Sequence, residues 1–132
     1  MARLVTARVE ALHGNLAGAL KALFAHGYLT CFAEKGIELP SREVSIPQRE
    51  QKAPDYLAKN PRGQTPILEL DDGTVIAESV AIMRYLEGLH PEPPLFGATP
   101  LESAQVEMWS RRIELNLMTA VGAVWVHTHR FP

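Results

Sequence analysis

Hydrophobic and polar positions change rhythm along this chain. Near the N-terminus, Val5, Val9, Leu12, Leu16, Ala19 and Leu23 step by three or four, the spacing of one helical face. Gly14 and Gly18 would weaken such a helix by about 1 kcal/mol each. A second reading fits the same letters: Arg3-Leu4-Val5-Thr6 as a first strand, with a helix starting near Asn15. Ala33-Glu34-Lys35-Gly36 reads as a helix C-terminus, where Lys35 faces the negative end of the dipole and Gly36 can adopt a left-handed conformation. The rhythm then shortens. Ile37-Glu38-Leu39 and Arg42-Glu43-Val44-Ser45-Ile46 nearly alternate around Pro40, which predicts one short, interrupted strand. Pro54 predicts the first turn of a short helix through Tyr56-Leu57-Ala58. Asn60-Pro61-Arg62-Gly63 predicts a turn. Ile67-Leu68-Glu69-Leu70 and Thr74-Val75-Ile76 flank Asp71-Asp72-Gly73, a hairpin signal. From Ser79 onward, Ile82, Met83, Leu86 and Leu89 return to helical spacing.

His90-Pro91-Glu92-Pro93-Pro94 cannot continue that helix, because its prolines lack amide donors and clash with the preceding turn. It marks a boundary: 1–89 as one domain, 90–98 as linker and 99–132 as a second, all-α region. Thr99-Pro100-Leu101-Glu102 has the form of a capping box with proline at the first helical position. The helix it opens can run to about Val126, a rod of roughly 40 Å at the α-helical rise. Trp109, Ile113, Leu117, Val121 and Val124 or Trp125 form one stripe. So wide an apolar face needs a partner. The chain stops soon afterwards, at Phe131-Pro132. The expectation is that another subunit covers the stripe or that the helical domain is truncated.

Composition narrows the class. The chain has 132 residues, 46% hydrophobic and 21% charged, so disordered and fibrous classes are excluded. Thirteen basic and fifteen acidic residues leave a net charge of -2, with no basic surplus for nucleic acid. Cys31 stands alone, so no internal disulfide can form. A buried, inert thiol is the plainer reading of it, a redox cysteine the sharper one. No apolar run approaches the roughly 20 residues that span a membrane, and Arg3 and Arg8 precede no signal-peptide core. A cytoplasmic protein is expected, with no membrane or nucleic-acid partner. His127-Thr128-His129 has no obvious third or fourth ligand, so no metal is expected.

Two short signals carry chemistry. A serine at a helix N-terminus offers its hydroxyl beside unpaired amides and the positive end of the dipole, which suits a carboxylate or phosphate. Glu78, one residue earlier, suits an ammonium group. Together Glu78 and Ser79 could grip an amino-acid head; plain capping by Ser79 with a solvated Glu78 is the alternative. Thr65-Pro66 stands just before a strand. A cis bond there would present the backbone of Thr65 to a ligand, whereas a trans proline would simply open the strand.

Three runs, Ala33-Glu34-Lys35-Gly36-Ile37-Glu38, Lys52 through Pro66 (KAPDYLAKNPRGQTP) and Asp71 through Ile82 (DDGTVIAESVAI), closely resemble cytosolic glutathione S-transferases of bacterial type. The resemblance covers roughly residues 31 to 130. It implies an α/β fold: a thioredoxin-like N-terminal domain, here with an atypical first strand and helix, followed by the start of the family's all-α C-terminal domain. It implies glutathione as co-substrate, an electrophilic small molecule as acceptor, and a homodimer. On this basis Thr65, preceding a cis Pro66, would pair its backbone with the cysteinyl part of glutathione. Glu78 and Ser79 would bind the γ-glutamyl end, Gln64 would support the tripeptide, and Gln51 and Lys52 would reach the glycyl carboxylate. The family's thiol-activating Ser, Tyr or Cys is missing where it should stand, near residues 22 to 25. With Arg3-Leu4-Val5-Thr6 as the first strand, Thr6, His13 or Asn15 would lie near the site, but none is assigned as the activator; Tyr28 and Cys31 are displaced from the expected loop. On the long helix, Met108, Arg111, Arg112 and Leu115 would either wall the electrophile pocket or serve as solvated arginines and core contacts. Family-like domains also serve as non-catalytic assembly modules, which is the competing function beside an inactive fragment.

Overall fold

The computed structural model describes residues 2–7 and 30–128. Its centre is a four-stranded sheet in the order β2-β1-β3-β4. Strand β1 (Arg3–Ala7) pairs in parallel with β2 (Ser41–Val44) and antiparallel with β3 (Ile67–Glu69), which pairs antiparallel with β4 (Val75–Ala77). The strand reading of Arg3 to Thr6 therefore prevails over the helical one at the start of the chain. The reason is tertiary: on β1, Leu4 and Val5 point to opposite faces and are buried on both. A helical start near Asn15 lies outside the described residues.

The alternation of the central strands divides the core. Leu4 and Leu68 join Phe32, Ile82 and Leu86 on one face; Val5 and Ile67 join Val44 and Tyr56 on the other. The first face is covered by the helical end at 30–34 and by α2 (Ser79–Leu89), whose Ile82 and Leu86 sit one turn apart. The second is covered by α1 (Pro54–Lys59), which starts at its proline as expected. The interrupted strand around Pro40 is shorter than its pattern suggests. Only 41–44 enters the ladder, and the carbonyl of Pro40 accepts from the amide of Leu4. The Asp71-Asp72-Gly73 turn is closed by Asp72, whose carboxylate accepts from the amide of Thr74 at 2.8 Å, and by Gly73 at a φ of 85°.

Beyond α2, the proline-rich joint is pinned by Lys35. Its ammonium is fully buried and pairs with Glu87 at 2.6 Å. It also donates to the carbonyls of His90 (2.6 Å) and Pro93 (2.7 Å), and the Glu92-Pro93 bond is cis. Burial alone would raise the carboxyl of Glu87, but the hydrogen bonds and charge of Lys35 and the amides of Phe96 and Leu95 bring it below its ordinary value. Helix α3 (Pro100–Arg112) opens on the expected cap: the hydroxyl of Thr99 accepts from the amide of Glu102 at 3.2 Å. The rod continues as a π-helical segment (Ile113–Met118) into α4 (Thr119–Thr128). Two side chains serve carbonyls near the wider turn: Asn116 donates to the carbonyl of Arg112 and Thr119 to that of Glu114. Arg84 on α2 ties the rod to the sheet domain by an ion pair with Glu107 at 2.7 Å.

Candidate functional site

The residues singled out from sequence fall on three adjoining segments. These are the 3₁₀ turn Glu50–Lys52, the loop 60–66 and the elbow at 78–79. The loop is built from buried polar anchors. Asn60, 5% exposed, donates from Nδ2 to the carbonyl of Gln64 at 2.8 Å, and the Tyr56 hydroxyl donates to the same oxygen at 2.7 Å. Burial, with the charge of Glu69 adding to it, pushes the Tyr56 phenol up to about 12, so it remains a donor at all physiological pH. The carbonyl of Gln64 is thus doubly held immediately before the Thr65-Pro66 bond, which is cis.

Glycine is required at position 63. Its φ is 58°, and a Cβ there would lie 2.7 Å from both the Gln51 carbonyl oxygen and the Lys52 Nζ. The loop therefore packs directly on the turn that carries Gln51 and Lys52. Lys52 reinforces the contact by donating from Nζ to the carbonyl of Arg62 at 2.9 Å. The Oε1 of Gln51 is buried and finds no hydrogen-bond donor among the described residues.

The hairpin explains why the spacing between Thr65-Pro66 and Glu78-Ser79 is diagnostic. Ile67 pairs with Ala77 at the end of the β3–β4 ladder. Pro66 and Glu78 are the residues next to that last pair on the two arms, and the chain turns into α2 at Ser79. Thr65-Pro66 and Glu78-Ser79 therefore flank the same end of the hairpin. The elbow has a feature the sequence did not signal. Glu78 itself is the N-cap of α2, at a φ of 71° and a ψ of 122°, and Ser79 is the first helical residue rather than the cap. A non-glycine residue at such a φ costs of order 1–3 kcal/mol and persists only where its surroundings impose it. The Glu78 side chain makes no capping hydrogen bond. It is 63% exposed and faces Arg62, with Nη1 and Oε1 3.5 Å apart.

The remaining candidates lie elsewhere. His13, Asn15 and Tyr28 fall outside the described residues, and Thr6 is the penultimate residue of β1. Cys31 is free and buried. Burial raises its thiol above the ordinary value; Lys35 pulls it down and Glu87 pushes it up. On the rod, Arg111 pairs with Glu114 and Arg112 stacks over the Trp109 ring, so both arginines are engaged with neighbours on their own rod. A shallow groove runs along it past Glu102, Val106, Trp109 and Ile113. Among the described residues no cluster of three or more His, Cys, Asp or Glu could hold a metal, and no helix is long and apolar enough to cross a membrane.

The sheet and the helices around it correspond to a known domain. The family model of the glutathione S-transferase N-terminal domain matches residues 23–89, just over half of the chain, and the chain belongs to that family. Glutathione S-transferase 2 of Saccharomyces cerevisiae is 44% identical over 84 residues, covering 64% of this chain and 36% of that protein. Elongation factor 1-gamma 1 of Oryza sativa subsp. japonica is 47% identical over 58 residues, covering 44% of this chain and 14% of that one. Among solved structures, a glutathione S-transferase domain-containing protein of Marinobacter aquaeolei superposes with a TM-score of 0.73 at 36% identity, covering 92% of this chain and 54% of that one. The chain spans about a third of the length of the yeast relative and about half of that solved structure. The sheet domain is the thioredoxin-like half of the family's fold, and the rod is the start of its helical part.

Proposed function

We propose that this chain binds glutathione and directs its thiol at an electrophilic, apolar small molecule. The observation that carries the reading is that Thr65-Pro66 and Glu78-Ser79 flank the end of the hairpin ladder, beside the Ile67–Ala77 pair, in a chain of this family. The groups fit the tripeptide. The exposed Glu78 carboxylate suits the γ-glutamyl ammonium, and Ser79 with the free amides of the first turn of α2 suits the γ-glutamyl carboxylate. The backbone of Thr65 takes the cysteinyl part and Gln64 supports it. At the far end Lys52 offers a cation to the glycyl carboxylate, and Gln51 would reach it through the N–H donors of its amide. Held this way, the cysteinyl sulfur lies near the C-terminal end of β1. Its thiolate attacks the electrophilic carbon, forming a carbon–sulfur bond as the leaving group departs with its electron pair. The thiolate fraction depends on a hydrogen-bond donor that lowers the thiol's pKa, and that residue is not assigned. In this reading residues 1–89 form the glutathione-binding domain, 90–98 the linker and 99–132 the helical region. The protein works in the cytoplasm as a homodimer, without a metal.

Isothermal titration tests the binding step. The full chain should bind glutathione at millimolar concentration or better. Glu78→Ala and Ser79→Ala should each weaken binding by about tenfold, the loss of one charge-assisted contact. Absence of binding by the unaltered chain overturns the reading. A second reading is favoured by the exposed Trp109, Ile113 and Leu117 on the rod and by the likeness to an elongation factor gamma chain: a non-catalytic assembly module. It expects a stable complex in sedimentation and no conjugation of an aryl halide.

A further inference from the structure

Arg62 has no role in the reading above, yet its guanidinium lies against the carboxylate of Glu78, 3.5 Å away and 71% exposed. Its backbone is fixed from both sides. The amide donates to Asn60 Oδ1 at 3.3 Å, the carbonyl accepts from Lys52 at 2.9 Å, and Gly63 follows in tight contact with Gln51 and Lys52. Glu78 is fixed too, by its left-handed φ at the head of α2. Two rigid backbones thus hold one cation and one anion side by side at the open end of the hairpin. A solvent-exposed ion pair contributes little to stability, so it opens readily to a better-matched ligand. The ligand that matches it is a zwitterion. An α-amino-acid head brings an ammonium to Glu78 and a carboxylate to Arg62, and no charge is left unpaired by the exchange. An amine without the carboxylate would leave the guanidinium to water alone, and a carboxylate without the amine would leave Glu78 to water alone.

We propose that Arg62 determines specificity for the zwitterionic head of the γ-glutamyl group, pairing with Glu78 in the free protein and with the ligand's α-carboxylate in the complex. The inference rests on the glutathione-binding reading. Titration of the full chain and of Arg62→Gln with two probes tests it: glutathione, and γ-aminobutyryl-cysteinyl-glycine, which keeps the ammonium and lacks the α-carboxylate. Arg62→Gln should weaken glutathione by about three- to tenfold. It should leave the second probe unchanged or bind it more tightly, because a competitor for Glu78 has gone. Arg62→Lys should recover part of the glutathione affinity, as a point charge without the fork. Unchanged or tighter glutathione binding by Arg62→Gln would overturn the inference while leaving the binding reading intact. Equal weakening of both probes would overturn it as well, since that marks a structural effect on the loop. Failure of the unaltered chain to bind glutathione would instead overturn the reading on which it stands.

Discussion

The sheet domain and the long rod both present apolar residues at regular spacing, but they use them differently. In the sheet domain, Ile67, Leu68 and Ile82 are wholly buried. On the rod, Trp109 is 57% exposed, Leu117 54% and Ile113 49%. The rod's local order comes from elsewhere: the Thr99 cap, the Arg111–Glu114 pair and the Asn116 and Thr119 side chains on its own carbonyls. Its ties to the sheet domain include the Arg84–Glu107 pair, and Lys35 fixes the joint that leads into it. Periodicity in a sequence therefore specifies which face of a helix wants burial. Whether that face is buried depends on elements that must arrive from elsewhere.

Stability measurements on the full chain sharpen this contrast. Ile82→Ala removes a side chain with no exposed surface and should cost about 2–5 kcal/mol in denaturant unfolding. A loss below 1 kcal/mol would break the claim that the sheet face holds the core. Next in size is the alkaline limb. The Tyr56 phenol titrates near 10 when free and near 12 in the fold. Between those values the unfolded chain has released the proton and the native one has not, so stability falls as pH rises, by up to about 1.4 kcal/mol per unit. Tyr56→Phe should flatten that limb in a pH series of melts; an unchanged slope would remove Tyr56 from the account. The smallest effect is expected on the rod, where Ile113→Ala should change stability by no more than about 0.5 kcal/mol. A loss comparable to that of Ile82→Ala would mean that the exposed stripe is covered in solution.

Features with a local signal were legible in the sequence. Pro54 starts a helix, Asp72-Gly73 turns a hairpin, Thr99 and Glu102 cap a helix, and Ile82 and Leu86 face the sheet. At the start of the chain two periodicities competed, and pairing with Ser41–Val44 and Ile67–Glu69, both remote in sequence, decided for the strand. The hairpin was legible too, and with it the position of Pro66 and Glu78 beside the last pair of its ladder, Ile67 with Ala77. Contacts between residues far apart in sequence were not. Lys35 reads as a charge on a helix end, and only the fold carries it to the carbonyls of His90 and Pro93. Arg62 reads as a turn residue until the elbow brings Glu78 opposite it. The π-helical segment and the left-handed φ of Glu78 are equally silent in composition, since neither uses glycine or proline.

On the proposed reading, glutathione sits at the hairpin end of the sheet domain and not on the rod. Amide chemical shifts of the nitrogen-labelled full chain, followed during titration with glutathione, test it most directly. Saturable changes are expected at Gln51, Lys52, Arg62, Gln64, Thr65, Glu78 and Ser79, with one dissociation constant, and none along 100–128. Changes confined to the rod, or none at these seven positions, would contradict it.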